Sequence, residues 1–136
     1  MDLQNAMMVS AMGMKAQGTR MKVVAENVAN ADTAANVPGE LPYQRQIVTF
    51  KSEVDRAKGA EMVEVDDVVL DDSEFRMKYM PGHPGANAEG YVTLPNVNML
   101  IETMDMREAQ RSYEANLNMI ELSRGMVMRT VDMLRE

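Results

Sequence analysis

The residue types that could carry out catalysis are few and scattered in this chain. His83 is the only histidine, and there is no cysteine. A Ser–His–Asp arrangement would need one of five serines, and none of them stands in the Gly-x-Ser-x-Gly pattern of a nucleophile elbow. His83 lies in the Pro- and Gly-rich run 81–85, where a contact within the loop is a simpler role than proton transfer. The sequence therefore predicts a protein that is not an enzyme, and an enzyme centred on His83 is one alternative.

A run of carboxylates between residues 61 and 74 could in principle bind a cation. It lacks the spaced Asp and Asn ligands, the central glycine and the final glutamate of a calcium-binding EF-hand loop. Glycine patterns that bind phosphate are also absent from the sequence. We therefore expect the run to be a solvated face of strands, and we predict no metal and no other cofactor.

The overall charge and the methionine content limit the kinds of partner. A net charge of −7 disfavours binding to nucleic acid or to an anionic membrane surface. No stretch approaches the ~20 apolar residues of a membrane-spanning helix, and Asp2 stands where a cleaved leader would be basic. The chain has 16 methionines among 136 residues. Methionine adapts to irregular gaps, which suits repeated and slightly different protein contacts.

Both ends of the chain are patterned as long amphipathic helices. Apolar residues recur at seven-residue spacing from Met7 to Val28 and again from Met106 to Leu134. Such a repeat keeps one stripe of a helix facing a partner helix, as in the seam of a coiled coil. The predicted seam comprises Leu3, Met7, Met14, Met21, Val24 and Val28 on the first helix, and Met106, Tyr113, Leu117, Ile120, Val127 and Leu134 on the second.

Proline marks the limits of these helices, because proline is excluded from helix interiors. All five prolines lie between positions 38 and 95, which leaves residues 3–30 free to form one helix. The second helix is expected to begin at Asn96 or Asn98, which are good N-cap residues directly after Pro95. The predicted segments are therefore 1–35 and 96–136 for the helices and 36–95 for an insert between them.

The insert has the composition of short strands. Residues 43–50, 62–70, 75–79 and 91–94 are rich in β-branched and aromatic residues or alternate between apolar and polar ones. We predict a small antiparallel sheet or a loop-rich β insert. The predicted fold class is mainly α with this small β insert, and the two terminal helices pack as a coiled-coil-like antiparallel pair.

The second helix carries an additional apolar stripe opposite its seam. A helix that is apolar on two faces must be buried on two faces, and the first helix can cover only one of them. Each large apolar side chain contributes about 1.5–3 kcal/mol on full burial, so this stripe could drive assembly with a neighbouring molecule. We refer to it as the methionine stripe, and it consists of Met119, Leu122, Met126 and Met133.

Two segments resemble a known family. The first covers residues 10–33 and includes the element Asn27-Val-Ala-Asn30-Ala31, which is similar to the N-terminal signature of the bacterial flagellar rod and hook family. The second covers residues 83–98 and 111–116 and resembles a proximal-rod member of that family. The positions that match the family motifs are Asn27, Asn30, Pro95, Asn96 and Asn98. Asn27 and Asn30 are expected to end the first helix by binding backbone or the adjacent helix.

The resemblance implies a function and a set of partners. Family members pack their terminal helices into an inner tube with the insert outside, and they form the periplasmic rod of the flagellar basal body. The implied partners are other rod subunits, MS-ring or adaptor proteins at the rod base, copies of the chain itself, and the flagellar type III export apparatus. Export by that apparatus needs no cleaved signal peptide.

One further interpretation remains open on the sequence, and another is disfavoured. A soluble, methionine-rich helical adaptor would bind one partner protein at fixed stoichiometry and would form no filament. A helix lying on a membrane surface is disfavoured by the acidic balance of the chain.

Overall fold

A computed structural model describes residues 2–56 and 59–135 of the chain. A long helix α1 (Leu3–Ala29) comes first, and a second long helix α2 (Met99–Met133) comes last. Four strands lie between them: β1 (Gln46–Asp55), β2 (Ala60–Leu70), β3 (Arg76–Tyr79) and β4 (Tyr91–Leu94). The predicted order of two terminal helices around a small β region is confirmed.

Both helix boundaries next to the insert are set by asparagine. The Asn98 side chain accepts hydrogen bonds from the backbone N–H groups of Leu100 (3.0 Å) and Ile101 (3.5 Å), so Asn98 is the N-cap of α2. At the end of α1, Asn30 donates from Nδ2 to the carbonyl oxygen of Glu26 at 2.8 Å. Of the two predicted N-caps, Asn98 is therefore correct, and Asn96 has another role described below.

The contacts between α1 and α2 show that the two helices run in opposite directions. Asn27 contacts Glu102, Arg20 contacts Asp105, and Gly13 lies against Asn116. As the residue number falls along α1, it rises along α2. Continuing this register places Leu3 level with Met126, so the last residues of α2 run past the start of α1.

The small β insert predicted from the sequence consists of two separate antiparallel hairpins. β1 pairs with β2, with a bulge at Thr49/Phe50, and β3 pairs with β4. The segment between the hairpins is bound by Asn96, whose Nδ2 donates to the carbonyl oxygens of Asp71 (2.9 Å) and Ser73 (3.2 Å). The β1–β2 hairpin packs along α1.

The buried core is built mainly from small residues. The buried residues of α2 within the described chain are Glu102, Ala109 and Ser123, and α1 contributes Ser10, Ala16, Val23, Val24 and Asn27. Small side chains let two helix backbones approach closely, but each buries little apolar area. Most large apolar side chains of α2 consequently face outward.

Two glycines of α1 provide a matched test of this close approach. A β-carbon on Gly13 would lie 2.9 Å from Asn116 Nδ2, whereas none of the described atoms lies within 4 Å of a β-carbon on Gly18. Alanine favours a helix over glycine by about 1 kcal/mol. We expect Gly18→Ala to raise the free energy of unfolding by about that amount, and Gly13→Ala to lose the gain because Asn116 must move. Urea unfolding of both variants measures the difference, and equal stabilisation would show that Asn116 gives way freely.

Candidate functional site: the polar junction and the exposed helix faces

Asn27 joins three parts of the fold at the end of α1. Its Nδ2 donates to the carbonyl oxygen of Gln46 at 2.8 Å and to Glu102 Oε2 at 3.1 Å. Its Oδ1 accepts from the Tyr43 hydroxyl and from the Gln46 backbone N–H, both at 2.9 Å. The buried amide is thus fully paired, and it links α1 to α2 and to the start of β1.

Glu102 and Arg45 form the charged centre of the same junction. The Glu102 side chain is 0% exposed and that of Arg45 is 17% exposed, and Arg45 Nε donates to Glu102 Oε1. Arg45 also reaches Asp71 Oδ2 at 3.1 Å and Asp105 Oδ2 at 3.4 Å. A buried carboxylate is tolerated only with a cation and hydrogen bonds around it, and Glu102 has both. We call Asn27, Tyr43, Arg45, Asp71, Asn96 and Glu102 the polar junction.

Asn96 completes the junction from the insert side. Its Oδ1 accepts the backbone N–H of Arg45 at 2.8 Å, while its Nδ2 binds the chain at Asp71 and Ser73. Pro95 is buried beside it, and its carbonyl oxygen accepts from Arg76 Nε at 3.1 Å. Asn96 therefore fixes both hairpins to the start of α2.

The electrostatics of the junction favour the charged form of its ion pairs. Burial tends to lower the pKa of Arg45, but its hydrogen bonds to Glu102 and Asp71 outweigh burial and raise that pKa. The backbone N–H of Ser73 lowers the pKa of Asp71, and Arg45 lowers it further. Burial raises the pKa of the Tyr43 hydroxyl, and the carboxylates of Glu26 and Glu102 add to that effect. The junction thus favours the ionised form of Asp71 and the neutral form of Tyr43.

The sequence pointed to part of this junction and missed its charged centre. The family motifs match Asn27, Asn30, Pro95, Asn96 and Asn98. They do not include Glu102, and a glutamate does not fit an apolar repeat. A signal was nevertheless present, since Glu102, Ala109, Asn116 and Ser123 follow one another at seven-residue spacing.

The predicted seam residues mostly flank the buried line between α1 and α2. Val24 is buried, and most of the others are half-buried. The half-buried ones are Leu3, Met7, Met14, Met21 and Val28 on α1, and Met106, Tyr113, Ile120 and Val127 on α2.

Two predicted seam positions are exposed in the single chain. Leu117 is 38% exposed and Leu134 is 83% exposed. Leu134 is the C-cap of α2 and lies beyond the start of α1. Leu117 follows Asn116, which lies against Gly13, and stands on the edge of the helix pair.

The methionine stripe is exposed along its whole length. Met119, Leu122, Met126 and Met133 are all among the exposed large apolar residues. Burying four such side chains would contribute several kcal/mol to an interface. In the single chain these side chains are between 45% and 71% exposed, so much of this contribution is not realised.

The predicted chemical candidates remain local. His83 Nδ1 accepts the backbone N–H of Gly85 at 3.0 Å, which is a contact within its own loop. Among residues 2–56 and 59–135 there is no group of three His, Cys, Asp or Glu side chains placed to hold a metal ion. Within the same residues neither helix carries a segment long and apolar enough to cross a membrane.

The fold and the site together define a class of protein. Two long helices are joined at one end by a buried polar junction, and they present large apolar residues to the outside. Such a chain is a structural subunit that displays helix faces, with its insert held to one end of the helix pair.

Comparison with known proteins identifies the family. The sequence model described as "Flagella basal body rod protein" matches residues 7–34, and the one described as "Flagellar basal body rod FlgEFG protein C-terminal" matches residues 88–133. The chain is 45% identical to the flagellar basal-body rod protein FlgC of Agrobacterium fabrum, covering 98% of this chain and 96% of that protein. It is 39% identical to FlgC of Bacillus subtilis (91% and 93% covered) and 35% identical to FlgC of Escherichia coli O6:H1 (96% and 97% covered).

The chain therefore belongs to the FlgC family of flagellar basal-body rod proteins. This is a family of structural rod proteins and not of enzymes, in agreement with the sequence prediction.

Proposed function

We propose that this chain is a structural subunit of the proximal flagellar rod, which assembles with other rod subunits and with copies of itself through its terminal helices. The observation that carries the proposal is the exposed methionine stripe in a chain of this family. An apolar face of this kind becomes favourable only when a neighbour covers it.

The two terminal helices would act as one inner-tube unit formed by segments 1–35 and 96–136. Their flanking residues, from Leu3 to Val28 on α1 and from Met106 to Val127 on α2, would form a coiled-coil-like seam that neighbouring helices extend. Leu117 and Leu134, which are exposed in the single chain, would then contact another subunit. The insert, segment 36–95, would lie outside the tube.

The location and partners follow from the same proposal. The subunit would stand in the periplasmic rod between the MS-ring side and the distal rod, after passage through the type III export apparatus without a cleaved signal peptide. Contact with MS-ring or adaptor proteins would occur at the rod base. One face of each subunit would meet a different face of the next, and repetition of such a contact produces a helical assembly.

The test is to replace the native gene with a deletion and then restore it with a tagged copy. We expect the deletion strain to be non-motile and the restored strain to contain the chain in isolated basal bodies, as detected by immunoblotting. Motility without the chain, or its absence from the basal bodies of motile cells, would refute the proposal. The adaptor reading would instead give a complex of fixed stoichiometry outside the basal body.

A further inference from the structure

A groove on the face of the helix pair opposite the methionine stripe has no role in the fold. It is lined by Ala25, Val28 and Ala29 of α1 and by Thr103 and Met106 of α2, with Glu102 at its floor. Its volume is about 330 Å³ and its walls are apolar. Sites for small ligands span ~300–1,000 Å³ and carry several convergent polar groups. The volume of this groove is near the lower limit of that range, and its walls lack convergent polar groups. It therefore suits apolar protein side chains better than a small ligand.

The groove and the methionine stripe face in nearly opposite directions. At about 100° per residue, Met126 is rotated by roughly 140° from Thr103 and by roughly 160° from Met106 around the axis of α2. A contact between stripe and groove therefore joins two different faces, and one copy can offer its groove while its stripe enters the next. Such a contact adds subunits without closing into a dimer.

The charges at the two surfaces are complementary. Segments 25–32 and 99–106 contain four carboxylates and no lysine or arginine. Glu102 and Asp105 are paired with Arg45 and Arg20, whereas the side chains of Glu26 and Asp32 are 45% and 92% exposed, with Lys22 and Arg76 at 3.9 Å. The groove also lies at the C-terminal end of α1, which carries the negative end of the helix dipole. On the stripe, Arg129 stands between Met126 and Met133, three and four residues from them and thus on the same face.

We infer that the groove receives the methionine stripe of a second copy of this chain. Met126 and Met133 would lie in the groove, and Arg129 would lie near Glu26 and Asp32 at the C-terminal end of α1. This inference rests on the proposed function and adds the receiving surface to it. The methionines would fill the apolar walls, because their unbranched side chains adapt to a shallow groove. Arg129 would fix the direction of docking.

The chain has no cysteine, so every disulfide that it forms involves an introduced cysteine. The experiment uses the full-length variant Ala29→Cys/Met133→Cys in a strain lacking the native gene. Basal bodies are isolated, oxidised mildly and run on a non-reducing gel. Within one chain the two sites are about 45 Å apart along α2, since thirty residues separate Thr103, beside Ala29, from Met133. A disulfide needs Cα atoms within ~7 Å, so any bond between these positions joins two copies.

We expect a ladder of dimers and higher multimers from the double variant, and no species beyond a dimer from either single variant. The matched control is Ala29→Cys/Met128→Cys, because Met128 is also an exposed methionine but lies about 140° from Met133 around α2. We expect at least a tenfold weaker ladder from this control. A second pair, Thr103→Cys/Met126→Cys, probes the other wall of the groove if the first variant does not assemble.

The outcomes separate this inference from the proposed function. If the variant chains are present in basal bodies but neither pair forms a ladder stronger than the control, the groove is not the receiving surface. Cross-linking of Ala29→Cys to a different rod protein would overturn the assignment of a second copy. Absence of even the unmodified chain from basal bodies would refute the proposed function itself.

Discussion

Replacing Arg45 by alanine is expected to lower the free energy of unfolding by about 3–5 kcal/mol. The reason is that Glu102 is 0% exposed and would lose the guanidinium that compensates its charge. Asn27 would remain as a hydrogen-bond donor to Glu102, but a neutral amide cannot replace a cation. Thermal unfolding of the full-length chain, followed by circular dichroism, should show a midpoint lower by about 10–20 °C.

Two further variants distinguish the stability contribution of the buried ion pair from that of an exposed one. Lys51 faces Glu64 at 3.9 Å and Asp66 at 4.0 Å in an exposed ion-pair group, so Lys51→Ala should cost less than about 1 kcal/mol. Arg45→Met/Glu102→Gln removes both charges and should recover part of the stability lost in Arg45→Ala. If Arg45→Ala costs no more than Lys51→Ala, Glu102 does not depend on Arg45.

Introducing a charge on the outward face of α2 is expected to abolish rod assembly and motility. Met126 is 45% exposed in the single chain, so Met126→Asp should leave the fold of the free chain intact. In an assembly the new carboxylate would be transferred from water into an apolar contact, which costs several kcal/mol at each subunit contact. Swimming in soft agar and immunoblotting of isolated basal bodies measure the effect, with the circular dichroism of the purified chain as a check on folding.

Ile120 provides a companion to this experiment and Met77 its control. Ile120 is half-buried beside α1, so Ile120→Asp should impair both the fold and assembly. Met77 is 57% exposed on β3 of the insert, and Met77→Asp should therefore assemble normally. Normal motility of the Met126→Asp strain would contradict an assembly role for the methionine stripe, and normal motility of the Ile120→Asp strain would contradict one for the seam.

The local features of the fold could be predicted from the sequence. The seven-residue repeats and the confinement of proline to positions 38–95 predict a first helix over residues 3–30 and a second one that begins at Asn96 or Asn98. The observed helices are α1 (Leu3–Ala29) and α2 (Met99–Met133). Strand propensity located all four strands. These predictions succeeded because capping, proline exclusion and side-chain periodicity act over a few residues.

The long-range features could not be predicted in the same way. Arg45 and Glu102 are 57 residues apart in the chain, and no local pattern relates them. The segment between the two hairpins is bound by the side chain of Asn96, which follows 23 to 25 residues later in the chain. The close approach at Gly13 also depends on a residue of the other helix, Asn116. Each of these features is a contact between distant segments, so its signal lies in the folded geometry.

The position of the polar junction has a mechanical consequence for the helix pair. It joins α1, α2 and β1 at one end, whereas α1 continues from Asn27 to Leu3 for about 36 Å beyond it. The helices remain packed as far as Ser10 and Ser123, which are both buried, so the pair is a single arm fixed to the insert at one end. A load applied to the far end would be carried along the helix pair to the junction and from there into the insert.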